Sequence, residues 1–151
     1  LGDGKARSEF KRRVKAIGVE KQVVFESKAP SAVPYLKSGH ILVVTDTDAD
    51  SEELVLKGAA AGIPMVMTKT EFRADTFING VSAYMCEPGD QETFTGYIDD
   101  LLNKPELRDK FTKNAQAMIR QKFHTDPGSY RESYRNSIEE AFFVDAQTSP
   151  E

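Results

Sequence analysis

The stretch His40-Ile-Leu-Val-Val-Thr-Asp-Thr-Asp-Ala-Asp-Ser-Glu-Glu53 decides the fold. A strand with one wet face alternates apolar and polar residues, whereas Ile41 to Val44 is unbroken, so it reads as a strand covered on both faces in a parallel sheet. The chain then turns polar, and Ser51 to Ala61 reads as a helix with Ser51 or Asp50 as N-cap and Gly62 as its stop. The small run Gly58-Ala-Ala-Ala61 suits a helix seated close on a sheet. Upstream, Ala6 to Ile17 places Phe10, Val14 and Ile17 on one helical stripe ended by Gly18. Gln22-Val-Val-Phe25 reads as a short strand, residues 28–30 as a turn, and Val33 to Lys37 as a short helix. Downstream come a strand at Pro64 to Met67, a loop from Thr68 to Arg73, a short helical piece, an Asn79-Gly80 turn and a strand at Ala83 to Cys86. Asp90 is placed to cap a helix over Glu92 to Leu102. Pro105 opens another that runs to about Phe123, with Leu107, Phe111, Ala115, Met118 and Ile119 on one face. A last helix is predicted over about Ser129 to Phe142, and 144–151 reads as a flexible tail. Strands alternating with helices predict an α/β domain over 1–143: a Rossmann-like three-layer α/β/α sandwich on a doubly wound parallel sheet. Its ligand crevice belongs at the carboxyl ends of the strands.

Composition narrows the function. The 151 residues fit one domain. Twenty Lys+Arg against 24 Asp+Glu give a net charge of −4, which argues against a dedicated nucleic-acid binder, since phosphate neutralisation needs a basic footprint. No apolar stretch approaches the roughly 20 residues that span a bilayer, so any membrane association is expected at the periphery only. One cysteine, Cys86, excludes an internal disulfide and, without a Cys/His cluster, a zinc site. That usage fits a reducing compartment, and a cytoplasmic location is expected.

The acidic loop admits three chemistries. Asp46, Asp48 and Asp50 alternate along an extended segment, as ligands of a hard cation do. A calcium loop starting at Asp46 would require Gly at Ser51 and an acid at Lys57, and has neither. Asp46-Thr47-Asp48 after a hydrophobic strand also fits the nucleophile motif of haloacid-dehalogenase-like phosphatases. The later acidic pair that holds their magnesium is not recognisable, and the Gly-Asp at Gly2-Asp3 lies upstream of the motif. The plainest reading is that the acids cap and solvate the helix start, worth about 0.3–1 kcal/mol each through the helix dipole.

The order of landmarks says more than the loop. LGDGK, the helix ending in Ile17-Gly18, VVF at 23–25, VPYLKSGHILVV, LVLKGAAAGIPMVM, INGVSAYMCEPGD and KPELRDKFTKNAQAMIRQKF follow one another without large gaps. Over about residues 1–143 the chain resembles the C-terminal domain of GT-B retaining glycosyltransferases of the large group 1, nucleotide-sugar-dependent family. The resemblance implies the donor-binding half of a two-domain enzyme, with the acceptor-binding domain and the family's first strand and helix lying before Leu1. It implies transfer of a sugar from a nucleotide-diphosphate sugar to an acceptor hydroxyl, with no obligatory metal, in polysaccharide or glycoconjugate biosynthesis. The piece alone is expected to be inactive, because the acceptor site and the phosphate-binding basic residues are missing from it.

On that resemblance the donor would meet Ser27 and Lys28 at the base, and Asp48, Asp50, Ser51, Glu52, Glu53 and Lys57 around ribose, sugar and diphosphate. The departures are pointed. The family's loop Glu and the second Glu eight positions later correspond to Ala49 and Lys57, so no catalytic residue is assigned. An ammonium donates and cannot accept, so Lys57 cannot replace a carboxylate that receives ribose hydroxyls. The Gly-Phe-Gly that offers backbone N–H groups is Asp50-Ser-Glu52, and the nearest counterpart of a later sugar-binding Glu is Asp75. Five carboxylates, at Asp46, Asp48, Asp50, Glu52 and Glu53, also oppose a bare diphosphate. One like-charged pair at 4 Å costs about 1 kcal/mol in water and about 4 kcal/mol at an effective dielectric of 20. These losses make a non-catalytic glycosyltransferase-like binding or stabilising module the main alternative, with the metal-dependent phosphatase third.

Other polar residues have plainer readings. Lys57 and Glu53 fit a helix-surface ion pair, Lys69 equally a crevice-facing residue after a strand end or an exposed loop lysine, His40 a turn residue and His124 a helix C-terminus. Tyr130, Tyr134 and Arg135 share a helical spacing that suits an interface or core.

Overall fold

A computed structural model describes residues 4–27, 29, 31–123 and 126–148. Its elements are α1 (Arg7–Ala16), α2 (Val33–Ser38), β1 (Leu42–Val44), α3 (Ala49–Ala61), β2 (Met65–Thr68), α4 (Glu71–Thr76), β3 (Tyr84–Cys86), α5 (Gln91–Asn103), α6 (Pro105–Lys122) and α7 (Pro127–Thr148). The three strands pair in the order β1-β2-β3, all parallel, with Val43 opposite Val66 and Val66 opposite Tyr84. Among the described residues this order contains no reversal, so the doubly wound arrangement expected from the sequence is not seen in these three strands.

Alternation across the pleat divides the core in two. Val44, Met65, Met67 and Met85 face one way and pack with Val55 and Ala59 of α3 and Ala115 of α6. Val66 and Tyr84 face the other way, against Leu101 of α5 and Phe111 of α6. The result is the predicted α/β Rossmann-like sandwich of helix, parallel sheet and helix. Central β2 is buried along its whole length, whereas β1, the run expected to be covered on both faces, lies at the edge of the three described strands with Val43 45% exposed, because no described strand pairs on its other side. On α3 the buried residues Ser51, Val55, Gly58 and Ala59 fall on one helical face. A Cβ on Gly58 would stand 2.5 Å from Leu42 Cδ2 and 3.2 Å from Met65 Sδ, so the helix rides on the sheet with no room for a side chain. Gly58→Val is therefore expected to cost about 2 kcal/mol by overpacking, read from the midpoint of urea unfolding. An unchanged midpoint would contradict this close approach. Gly62 ends α3 at φ +80°, with Ile63 N–H donating to the Gly58 carbonyl.

Besides the position of β1, the structure changes four expectations. Residues 22–25 form no strand, and Val24 is exposed (78%); a Val-Val-Phe run becomes a strand only beside a partner, and none of the described strands pairs with it. Helix α3 begins at Ala49, with Asp48 as its N-cap, because Asp46 Oδ1 accepts the Asp48 N–H at 3.0 Å and tightens the turn earlier. Tyr134, expected at an interface or in the core, is 61% exposed, which excludes the core and leaves it at the surface, where an interface residue would stand. Helix α7 continues to Thr148, through 144–148 of the expected tail. His124 lies outside the described residues. Among the described residues no helix is long and apolar enough to cross a membrane.

Candidate functional site

Three loops converge on the carboxyl edge of the sheet. Thr68 Oγ1 donates to the Thr45 carbonyl at 3.1 Å, tying the end of β2 to that of β1. Lys69 N–H donates to the Cys86 carbonyl at 2.8 Å, tying β2 to β3. Of the grooves at this edge, two share Thr45. One, of about 600 Å³, runs past Thr47 and Thr68 to Gln91 and Thr95 on α5. The other, of about 510 Å³, runs past Asp46 to Phe25, Glu26 and Arg7. Arg7 bridges that second groove, donating to Ser27 Oγ and to the Phe25 carbonyl, both at 2.9 Å.

The acidic loop is held from below by Arg73, which is completely buried. Its Nε donates to Glu52 Oε2 at 2.9 Å, Nη1 to the Thr68 carbonyl at 2.7 Å, and Nη2 to Ser51 Oγ at 2.6 Å. Thr70 caps α4 by accepting the Arg73 N–H, and its hydroxyl donates to Glu52 Oε1 at 2.9 Å. Ser51 Oγ in turn donates to the Asp48 carbonyl at 2.5 Å, so the guanidinium is linked to the loop backbone through one hydroxyl. Nothing in the sequence announces this residue. It sits three positions after a Thr cap on a six-residue helix, where an arginine is ordinarily solvated, and its burial arises only because the ends of β2, α3 and α4 meet there.

The expected donor-site residues divide accordingly. Ser51 and Glu52 are drawn into the Arg73 network, while Asp48 and Asp50 are exposed in the loop and first turn of α3. Glu53 and Lys57 form the anticipated surface ion pair at 2.6 Å, with 71% and 49% of their side chains exposed. Ser27 is exposed beside Arg7, and Lys28 lies outside the described residues. Of the five carboxylates, two therefore have cationic partners, Glu52 with Arg73 and Glu53 with Lys57. Lys69, read as either a crevice-facing or a loop lysine, is half exposed, lines grooves at this edge and pairs with Glu87 at 2.7 Å across the ends of β2 and β3. His40 is exposed at the bend before β1. Asp75 is exposed on α4, and its carbonyl accepts from Lys122 at 2.8 Å.

At the end of β3, burial above all, and then the carboxylates of Asp90 and Glu87, push the Cys86 thiol pKa up. The reactive species is the thiolate, and an unfolded cysteine with a pKa of about 8.5 supplies roughly a quarter of it at pH 8. Native Cys86 is expected to react with iodoacetamide at pH 8 at least about tenfold more slowly than in urea. Equal rates would show an accessible thiol. Because the folded state holds this proton to higher pH, its contribution to stability declines as pH rises above the unfolded value.

A family model described as "Glycosyl transferases group 1" matches residues 1–118, and the chain belongs to that family. It is 24% identical over 119 residues to the lipopolysaccharide core biosynthesis glycosyltransferase LpsE of Rhizobium meliloti, covering 79% of this chain and 35% of LpsE. Its fold matches Anabaena HepE, solved in complex with UDP-glucose, at a TM-score of 0.76 and 18% identity over 92% of this chain and 39% of HepE. It also matches the C-terminal domain of the group 1 protein LpcC from Francisella tularensis, at a TM-score of 0.69 and 19% identity over 80% of this chain and 63% of that one. The chain spans about a third of the length of LpsE.

Proposed function

We propose that this chain is the donor-binding domain of a retaining glycosyltransferase, which in a two-domain parent passes a sugar from a nucleotide-diphosphate sugar to an acceptor hydroxyl. The observation that carries the reading is the convergence, at the carboxyl edge of a parallel sheet, of two grooves that share Thr45 beside the start of α3. Membership of the group 1 family supports the transferase chemistry, and the UDP-glucose bound by the similarly folded HepE supports this class of donor.

On this reading Ser27 and Lys28 meet the base, and Asp48 and Asp50 meet sugar or ribose hydroxyls, which carboxylates accept well. The α3 N-terminus, with Ser51 and Glu52 fixed behind it, lends its dipole to the departing diphosphate. The acceptor hydroxyl attacks the anomeric carbon at the cleft with an acceptor-binding N-terminal domain. On the same reading the protein works in the cytoplasm, at most peripheral to a membrane, and needs no obligatory metal.

A second reading, a non-catalytic binding module, is favoured by Ala49 and Lys57 at the family's two Glu positions and by the engagement of Lys57 with Glu53. The phosphatase reading gains nothing from the family assignment. Saturation-transfer NMR on the complete protein with several UDP- and GDP-sugars, with and without magnesium, tests the donor reading. Sugar and base signals from one donor are expected, and silence across the panel would refute it. Lys57→Glu restores an acceptor for ribose hydroxyls and is expected to tighten that donor about tenfold, the worth of one charged hydrogen bond. An unchanged affinity would remove position 57 from the ribose site.

A further inference from the structure

The geometry points to Arg73 as a positioning residue for the donor, a role that rests on the donor-binding reading above. Three observations carry it. The guanidinium is completely buried and directs three donors to three different places: the Glu52 carboxylate, the Ser51 hydroxyl and the carbonyl ending β2. Ser51 passes this constraint to the loop backbone through the Asp48 carbonyl, and more weakly through the Asp46 carbonyl at 3.4 Å. Glu52 is held on both oxygens, by Arg73 and by Thr70, which turns its carboxylate toward α4 and gives it a cation.

A tight glycine loop can present backbone N–H groups to an anion by its own conformation. Asp50-Ser-Glu52 has no glycine and forms the first turn of α3, so its N–H groups are presented by the helix itself, and the rigid Arg73 fork, bound to Ser51, Glu52 and the Thr68 carbonyl, fixes where that first turn sits against the end of β2. The same contact removes one of the five negative charges from the diphosphate's surroundings. Arg73 thus acts through Ser51 and Glu52, without touching the donor.

The test separates bracing the fold from positioning the loop. A buried ion pair replaced on both sides by apolar residues of similar volume commonly keeps stability. In the complete protein, Arg73→Met with Glu52→Leu is expected to melt above Arg73→Ala, because it leaves no unpaired buried charge, although the Thr68 carbonyl and Ser51 hydroxyl lose the same partner. Amide exchange over 46–52 should quicken at least tenfold while 65–68 and 84–86 stay protected, and the dissociation constant for whichever of UDP-glucose and GDP-mannose the parent binds should rise at least tenfold. Arg73→Lys keeps the charge but not the fork, and should fall between the two in both readouts. Unchanged exchange over 46–52 overturns the proposal whatever the donor does, and so does quickened exchange with unchanged donor affinity. If the parent protein itself binds neither sugar nucleotide, the donor-binding reading fails and the positioning role with it, while the exchange data still report whether Arg73 fixes the loop.

Discussion

Arg73→Ala is expected to lower the melting temperature by about 10 °C. Removing one partner of a buried ion pair costs about 3–5 kcal/mol, and the lower end applies because 17% of the Glu52 side chain still reaches water. For a chain of this size each kcal/mol shifts the midpoint by about 2–4 °C. The loss goes beyond the charge pair. The Thr68 carbonyl and Ser51 hydroxyl lose their guanidinium partner, and the ends of β2, α3 and α4 lose their common tie. Differential scanning fluorimetry checks it, and a midpoint within about 2 °C of the parent would show that the network contributes little.

Phe111→Ala is expected to be comparably severe, at about 4 kcal/mol. The ring is fully buried between Val66 of β2 and Leu101 of α5, and meets Tyr84 edge-on with centroids 4.8 Å apart. Tyr84 is itself stacked on Tyr97 at 4.0 Å, so the deletion leaves a cavity beneath an aromatic stack that cannot collapse freely. Urea unfolding would report a lower midpoint at similar slope. A loss under about 1 kcal/mol would mean that α6 does not seal this face of the sheet.

The frame of the fold was legible because it depends on patterns that one segment carries alone. Ile41 to Val44 and Pro64 to Met67 are continuous apolar runs, and they yield β1 and β2. Asp90 was readable as a cap and does accept the Thr93 N–H, and the stripe Leu107, Phe111, Ala115 describes the inward face of α6. What failed depends on partners. Val23 and Val24 have the composition of a strand, yet pairing is a property of two segments. Likewise α3 starts at Ala49, two residues before Ser51, because Asp46 tightens the turn at Asp48, and Ser51, a good cap by type, hydrogen-bonds within the first turn instead.

The candidate site was half visible for the same reason. The acidic loop could be read as a loop at a strand end, and Lys57 with Glu53 as an ion pair, since both are local in sequence. Arg73 is 22 residues from Ser51 and 21 from Glu52, and no spacing rule connects them. Its importance follows from burial, which raises the cost of every unsatisfied donor and fixes the loop more firmly than a surface arginine would.

Amide chemical-shift mapping of the complete protein during titration with its sugar-nucleotide donor tests the central claim most directly. The account predicts saturable shifts concentrated at Ser27 and 45–53, with the far ends of the strands silent. Shifts confined to other surfaces, or none at donor concentrations in the millimolar range, would contradict it.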